Sequence, residues 1–146
     1  MCGMALAASL ALADLYGAGP VVAQTQSALS QEPLYAEIVA RAHTMESTAR
    51  TMRAGPAPGK DAVTRLEADA KTLSALDMKG HLDLAARGTD GDLKCILKGI
   101  SQDLPRKATA VEAAQGGPGE AAALDELIYL LDDNAGVIVA PPKPPA

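Results

Sequence analysis

Cys95 is the residue of this chain with the sharpest chemical character. It falls in the first turns of a predicted helix over residues 90–114. There the helix dipole and the neighbouring Lys94 and Lys98 favour a thiolate. A step of 100° per residue points Cys95 about 200° away from Leu93, off the apolar stripe and toward Lys98 and Gln102. A second pattern points the other way. Gly91, Cys95 and Gly99 recur at i, i+4 and i+8 as a ridge of small residues. A helix closing on that ridge would bury the thiol as a small hydrophobe. No motif supplies a His or Asp partner for a cysteine nucleophile.

Asp125, Glu126, Asp132 and Asp133 form the next constellation, a run of carboxylates on one predicted helix. Clustered carboxylates can bind a divalent cation or serve acid–base catalysis, but no EF-hand loop surrounds these four. All four fall outside the apolar stripe, and they read as a solvated acidic contact face. His43 and Glu46 stand at i, i+3. Di-iron bundles use Glu-x-x-His twice, whereas here the order is reversed and occurs once. Met45 and Met52 have the chemistry of axial haem ligands, but they lie in an apolar stripe and no Cys-x-x-Cys-His accompanies them. We therefore expect no catalytic, cofactor-binding or metal-binding residues and no bound cofactor. Nucleophile elbows, phosphate loops and dinucleotide fingerprints are absent as local patterns.

Composition narrows the function classes further. The 146 residues hold 30 Ala and 18 Leu, no Phe or Trp, and three Tyr. Strand-rich cores favour β-branched and aromatic residues, so a large β architecture is disfavoured. Base stacking on aromatic platforms has little to work with. The formal net charge is −5, and no basic patch of a nucleic-acid binder is visible. No Lys or Arg occurs before Arg41 or between Lys107 and Lys143.

The N-terminus reads as a targeting segment. Met4 to Ala13 is an uninterrupted run of small and apolar residues, the length of a signal-peptide h-region and too short to span a bilayer. Val21-Val22-Ala23 offers small residues at a cleavage site before Gln24, which implies a signal peptide over 1–23 and a periplasmic or secreted chain. Ala11-Leu12-Ala13 is a second candidate site. No stable membrane span is expected after cleavage. Cleavage would also remove Cys2, leaving Cys95 as the one thiol, with a homodimer through it as the consequence in an oxidising compartment.

What must position these residues is a set of helices. After a linker over 24–30, Leu34, Ile38, Ala42, Met45, Ala49 and Met52 repeat at three and four across residues 31–54, with Ser30 as N-cap. Val63, Leu66, Ala70, Leu73 and Leu76 or Asp77 carry the same period over 60–78, with Gly80 as the stop and a short extra turn over 81–87. Thr89-Asp90-Gly91-Asp92 resembles a capping box opening a helix over 90–114, whose stripe runs from Leu93 to Val111 and which Pro105 should kink. Leu124, Leu127, Ile128, Leu131 and Ala135 form the inner face of a helix over 119–136, capped by Asn134 or Gly136. Residues 137–146 are Pro-rich and predicted to be extended. Acid-then-base pairs at i, i+4 recur, among them Glu37–Arg41, Glu46–Arg50 and Asp103–Lys107.

Four amphipathic segments with short connections predict an all-α, antiparallel four-helix bundle over 31–136, up-down-up-down, with a three-helix bundle as the alternative. A patterned fold without assembled chemistry suggests an exported bundle that binds a protein or envelope component without catalysis. A bundle carrying haem, metal or a small apolar molecule is one alternative. A thiol-dependent redox protein using Cys95 is the other.

Overall fold

The computed structural model describes residues 27–88 and 91–142. The targeting segment, the first residues of the linker, Thr89 and Asp90 of the expected capping box, and the last four residues of the tail lie outside the described residues. Four helices follow one another: α1 Pro33–Ala54, α2 Lys60–Ala86, α3 Leu93–Ala114 and α4 Glu120–Val139. A short 3-10 turn, Ala28–Gln31, precedes α1. Each helix packs against its neighbours in sequence, and α1 closes the ring against α4. The start of α1 meets the end of α2 where the Tyr35 hydroxyl donates to Asp83 at 2.7 Å. The end of α1 meets the start of α4 through Arg53 and Asp125. The end of α3 meets the start of α4 through Lys107 and Glu126. These contacts make every adjacent pair antiparallel, and the chain is the expected up-down-up-down four-helix bundle.

The core is the sum of the four stripes. Ile38, Ala42, Met45 and Ala49 of α1, Val63, Leu66, Ala70 and Leu73 of α2, Leu97 and Leu104 of α3, and Leu124, Leu127 and Leu131 of α4 are buried. Leu34 and Met52, at the ends of the α1 stripe, are only partly covered. Tyr35 is fully buried in the place a Leu34-led stripe would not assign it. The small side chains of Ala42, Ala49, Ala70 and Ala108 fill this interior without an aromatic layer.

Several expected ends move. Gly80 does not stop α2, which continues unbroken to Ala86. A Cβ added at Gly80 would lie 3.1 Å from Leu97 Cδ1 and 3.3 Å from Tyr35 Cε1. The glycine therefore admits two core side chains against the α2 backbone. The stop comes at Gly88, whose φ of +67° is a left-handed cap conformation that favours glycine. Ser30 is not the N-cap of α1; it belongs to the 3-10 turn and donates to the Ser27 carbonyl at 2.7 Å. Glu32 takes the cap position without a side-chain cap bond, and Pro33 opens the helix.

α4 runs past Gly136 to Val139, so the first three residues of the expected extended tail are helical. The physical reason lies at the other end of the chain. The Ser27 N–H donates to the Val139 carbonyl at 3.0 Å, and the Ser27 hydroxyl donates to the Ile138 carbonyl at 2.6 Å. Two of the orphan carbonyls that end a helix are thereby satisfied. Ile138 is fully buried, which rewards the extra turn.

Pro105 sits inside α3, which is continuous through it. Proline removes the N–H that would bond the carbonyl four residues back. That carbonyl belongs to Ser101, and the Ser74 hydroxyl of α2 donates to it. The helix break is thus repaired from outside, by a neighbour.

Candidate functional site

The four expected carboxylates are solvent-facing on α4. At their centre stands Tyr129, 74 % exposed. Asp125 and Glu126 lie four and three residues before it, and Asp132 and Asp133 three and four after it. Those are the spacings at which helical side chains are neighbours on one face. Tyr35, by contrast, is fully buried. Among the described residues the only other large apolar side chain so open is Leu82 on α2.

The face is partly tied to the bundle. Arg53 Nε donates to Asp125 at 2.9 Å, and Lys107 Nζ donates to Glu126 at 2.6 Å. These pairs are exposed and contribute little to stability. Asp132 and Asp133 make no ion pair with any described residue. Between α3 and α4, Lys107, Asp125, Glu126, Tyr129 and Leu130 line a shallow groove. An aromatic side chain with a polar tip, ringed by carboxylates, can cover the aliphatic stem of a Lys or Arg and attract its charge.

Cys95 is exposed. The helical wheel placed it correctly, and the buried alternative fails within the chain. A Cβ added at either Gly91 or Gly99 would meet nothing within 4 Å, so no helix of the bundle closes on that ridge. α2 and α4 are the neighbours of α3, whose buried residues include Leu93, Leu97, Ile100 and Leu104 and not Cys95. Cys95 therefore does not share a site with the acidic face of α4.

His43 is also open, with Nδ1 3.6 Å from a Glu46 oxygen, while Glu46 is held by Arg50 at 2.6 Å. Met45 is buried in the core, and Met52 packs at its edge. Among the described residues no group of three His, Cys, Asp or Glu side chains is placed to hold a metal. Of the expected ion pairs, Glu37–Arg41 and Glu46–Arg50 form. Asp103 pairs with Arg106 instead of Lys107, which reaches across to α4.

Two polar clusters were not anticipated from the residue pattern. At one end of the bundle Arg87 grips Glu32 with two bonds, at 2.9 and 2.6 Å, and reaches Asp83 at 2.7 Å. The bond from Arg87 holds the Glu32 carboxyl below its ordinary range. The Tyr35 hydroxyl, then Arg87, do the same for Asp83. This cluster ties the start of α1 to the end of α2, with one guanidinium shared by two carboxylates and the Tyr35 hydroxyl donating to the second.

The other cluster is in the core. Asp77 and Asn134 are both fully buried, and Asn134 Nδ2 donates to Asp77 Oδ2 at 2.9 Å. The bond spans the diagonal from α2 to α4. Asn134 is therefore not the helix cap that its place near Gly136 suggested. Burial, opposed by the Asn134 bond, pushes the Asp77 carboxyl up to about 7. The signal was available: both residues sit in register with apolar stripes, where a polar side chain needs a partner. Compared with known protein families, curated proteins and solved structures, the chain matches none.

Proposed function

We propose that this chain is an exported, non-catalytic binding protein whose α4 face docks a basic segment of a protein or envelope component. The observation that carries this reading is Tyr129, open to solvent at the centre of Asp125, Glu126, Asp132 and Asp133. Tyrosine is enriched among residues that dominate binding energy, and surrounding carboxylates supply charge complementarity and fast encounter with a cationic partner. The apolar run at the N-terminus supports export to the periplasm or beyond. In that compartment the exposed Cys95 supports a disulfide-linked homodimer as a second form of the protein. An exposed thiol also supports a redox role as the second reading.

The test is a titration of the isotopically labelled full chain with a peptide of alternating Lys and Arg, followed by backbone NMR shifts at moderate salt. Shifts confined to residues around 125–133 are expected. Tyr129→Ala should weaken binding by about tenfold or more, the loss typical of an anchor residue. Shifts spread over every acidic surface, indifferent to Tyr129→Ala, would reject the docking face.

A further inference from the structure

The buried Asp77–Asn134 pair is incomplete as a carboxylate and an amide. Asp77 Oδ1 and Asn134 Oδ1 are both buried without a hydrogen-bond partner. Both orphans are acceptors, and they belong to the two members of one hydrogen-bonded pair. An acceptor left unsatisfied inside a protein is costly, and a bare carboxylate there more so. A neutral carboxylic acid is the complement of a carboxamide. Its O–H donates to the amide oxygen while the amide N–H donates to its carbonyl oxygen.

We propose that Asp77 is held as a neutral acid in the folded bundle, sharing its proton with Asn134, and that loss of this proton is a pH-sensitive switch on the α2–α4 contact. One proton supplies the donor that both orphan oxygens lack. Its release leaves a charge in a core built almost wholly of apolar side chains.

Among the described residues no charged side chain acts on Asp77: burial raises its carboxyl and only the Asn134 bond opposes that rise. On α1 the buried residues include one titratable group, Tyr35, whose hydroxyl donates to Asp83. The buried faces of α3 and α4 contain none, and on α2 Asp77 itself is the only buried one. Ser74 and Ser101, the buried or half-buried polar groups of the facing α2 and α3 surfaces, are engaged with each other and with the Lys98 carbonyl.

The sign follows from proton binding. The folded carboxyl lies above its ordinary value of 3.8, at about 7. The folded state therefore holds more protons than the unfolded state between those values, and stability falls as pH rises through that interval. With those two values the folding equilibrium constant drops by about a hundredfold between pH 5 and 9 from this group alone.

The experiment follows the Asp77 carboxyl carbon by NMR in the full chain from pH 4 to 9, with urea unfolding over the same range. A neutral acid at pH 5, titrating within about one unit of neutrality, is expected. Asp77→Asn keeps the shape and both hydrogen-bonding partners without a titrating group. Subtracting its unfolding curve isolates Asp77, and the difference should show the decline toward high pH. Asn134→Leu removes both bonds of the acid–amide pair, the one given and the one accepted by Asn134, so the Asp77 midpoint should move. A carboxylate signal throughout pH 5–9 would overturn the proposal. So would parallel unfolding curves for wild type and Asp77→Asn, or a midpoint unmoved by Asn134→Leu.

Discussion

Removing the Ser74 hydroxyl should destabilise the bundle only because Pro105 is present. Pro105 deprives the Ser101 carbonyl of its helical donor, and Ser74 replaces that donor from α2. Ser101 is 3 % exposed, so water is a poor substitute. Ser74→Ala should then leave a buried acceptor unsatisfied, a loss of about 1–3 kcal/mol. In a Pro105→Ala background the residue at 105 regains its N–H and bonds the same carbonyl. There Ser74→Ala should cost less than about 1 kcal/mol, the worth of an ordinary exchangeable hydrogen bond. Pro105→Ala alone should stabilise the chain, by less than the ~3 kcal/mol that proline costs in a regular helix, because the Ser74 bond already offsets part of that cost. The assay is a double-mutant cycle by urea unfolding, monitored by helical circular dichroism at pH 5 and analysed with a common slope. A coupling of about 1 kcal/mol or more is expected, with Tm differences of roughly 4 °C per kcal/mol. Equal losses from Ser74→Ala in both backgrounds would refute the repair of the Pro105 gap by Ser74.

Gly80→Ala should destabilise by about 1–2 kcal/mol, because Leu97 and Tyr35 are fully buried and cannot yield to the new methyl group. Gly136→Ala, in open space on α4, should stabilise by about 0.5–1 kcal/mol; thermal unfolding of the two variants checks the opposite signs. Cys95 in the native chain should alkylate at a rate close to that in denaturant, and oxidation should give a covalent dimer on non-reducing electrophoresis; a thiol that reacts only after unfolding would contradict its exposed placement. Glu32 and Asp83 titrate below their ordinary values, so their contribution is present above the unfolded carboxylate range and is lost as pH falls through the folded values. Arg87→Met should therefore flatten the acid limb of the stability profile, measured by urea unfolding between pH 2 and 5.

The bundle itself was legible because its signal is periodic and redundant. Ile38, Ala42, Met45 and Ala49 repeat at the helical spacing, and so do Leu66, Ala70 and Leu73; all are buried. What escaped was decided between helices. Gly80 carries the local character of a stop, yet the approach of Leu97 and Tyr35 gives it a packing role within a continuous α2. The last turn of α4 depends on Ser27, more than a hundred residues away in sequence. Asp77 and Asn134 occupy stripe positions on separate helices, and only folding brings them within hydrogen-bonding distance. For the candidate site, the carboxylates were readable from helical geometry, whereas for Cys95 the wheel and the small-residue ridge pointed opposite ways and the open space at Gly91 and Gly99 decides for exposure. The central place of Tyr129 was equally readable from its spacing to Asp125, Glu126, Asp132 and Asp133. Its 74 % exposure gives that spacing its meaning.

The docking face on α4 is tested most directly by replacing Tyr129 with a photoreactive phenylalanine derivative in the full chain, produced in the cells that naturally make it. Irradiation is expected to yield a discrete covalent complex with a basic partner. The complex should disappear when Asp132→Lys and Asp133→Lys reverse the charge beside the probe. The same probe at Thr72, an exposed position on α2, should give no such complex. Equal cross-linking from Thr72 and from position 129, or a complex that survives the charge reversal, would contradict a charge-complementary docking face centred on Tyr129.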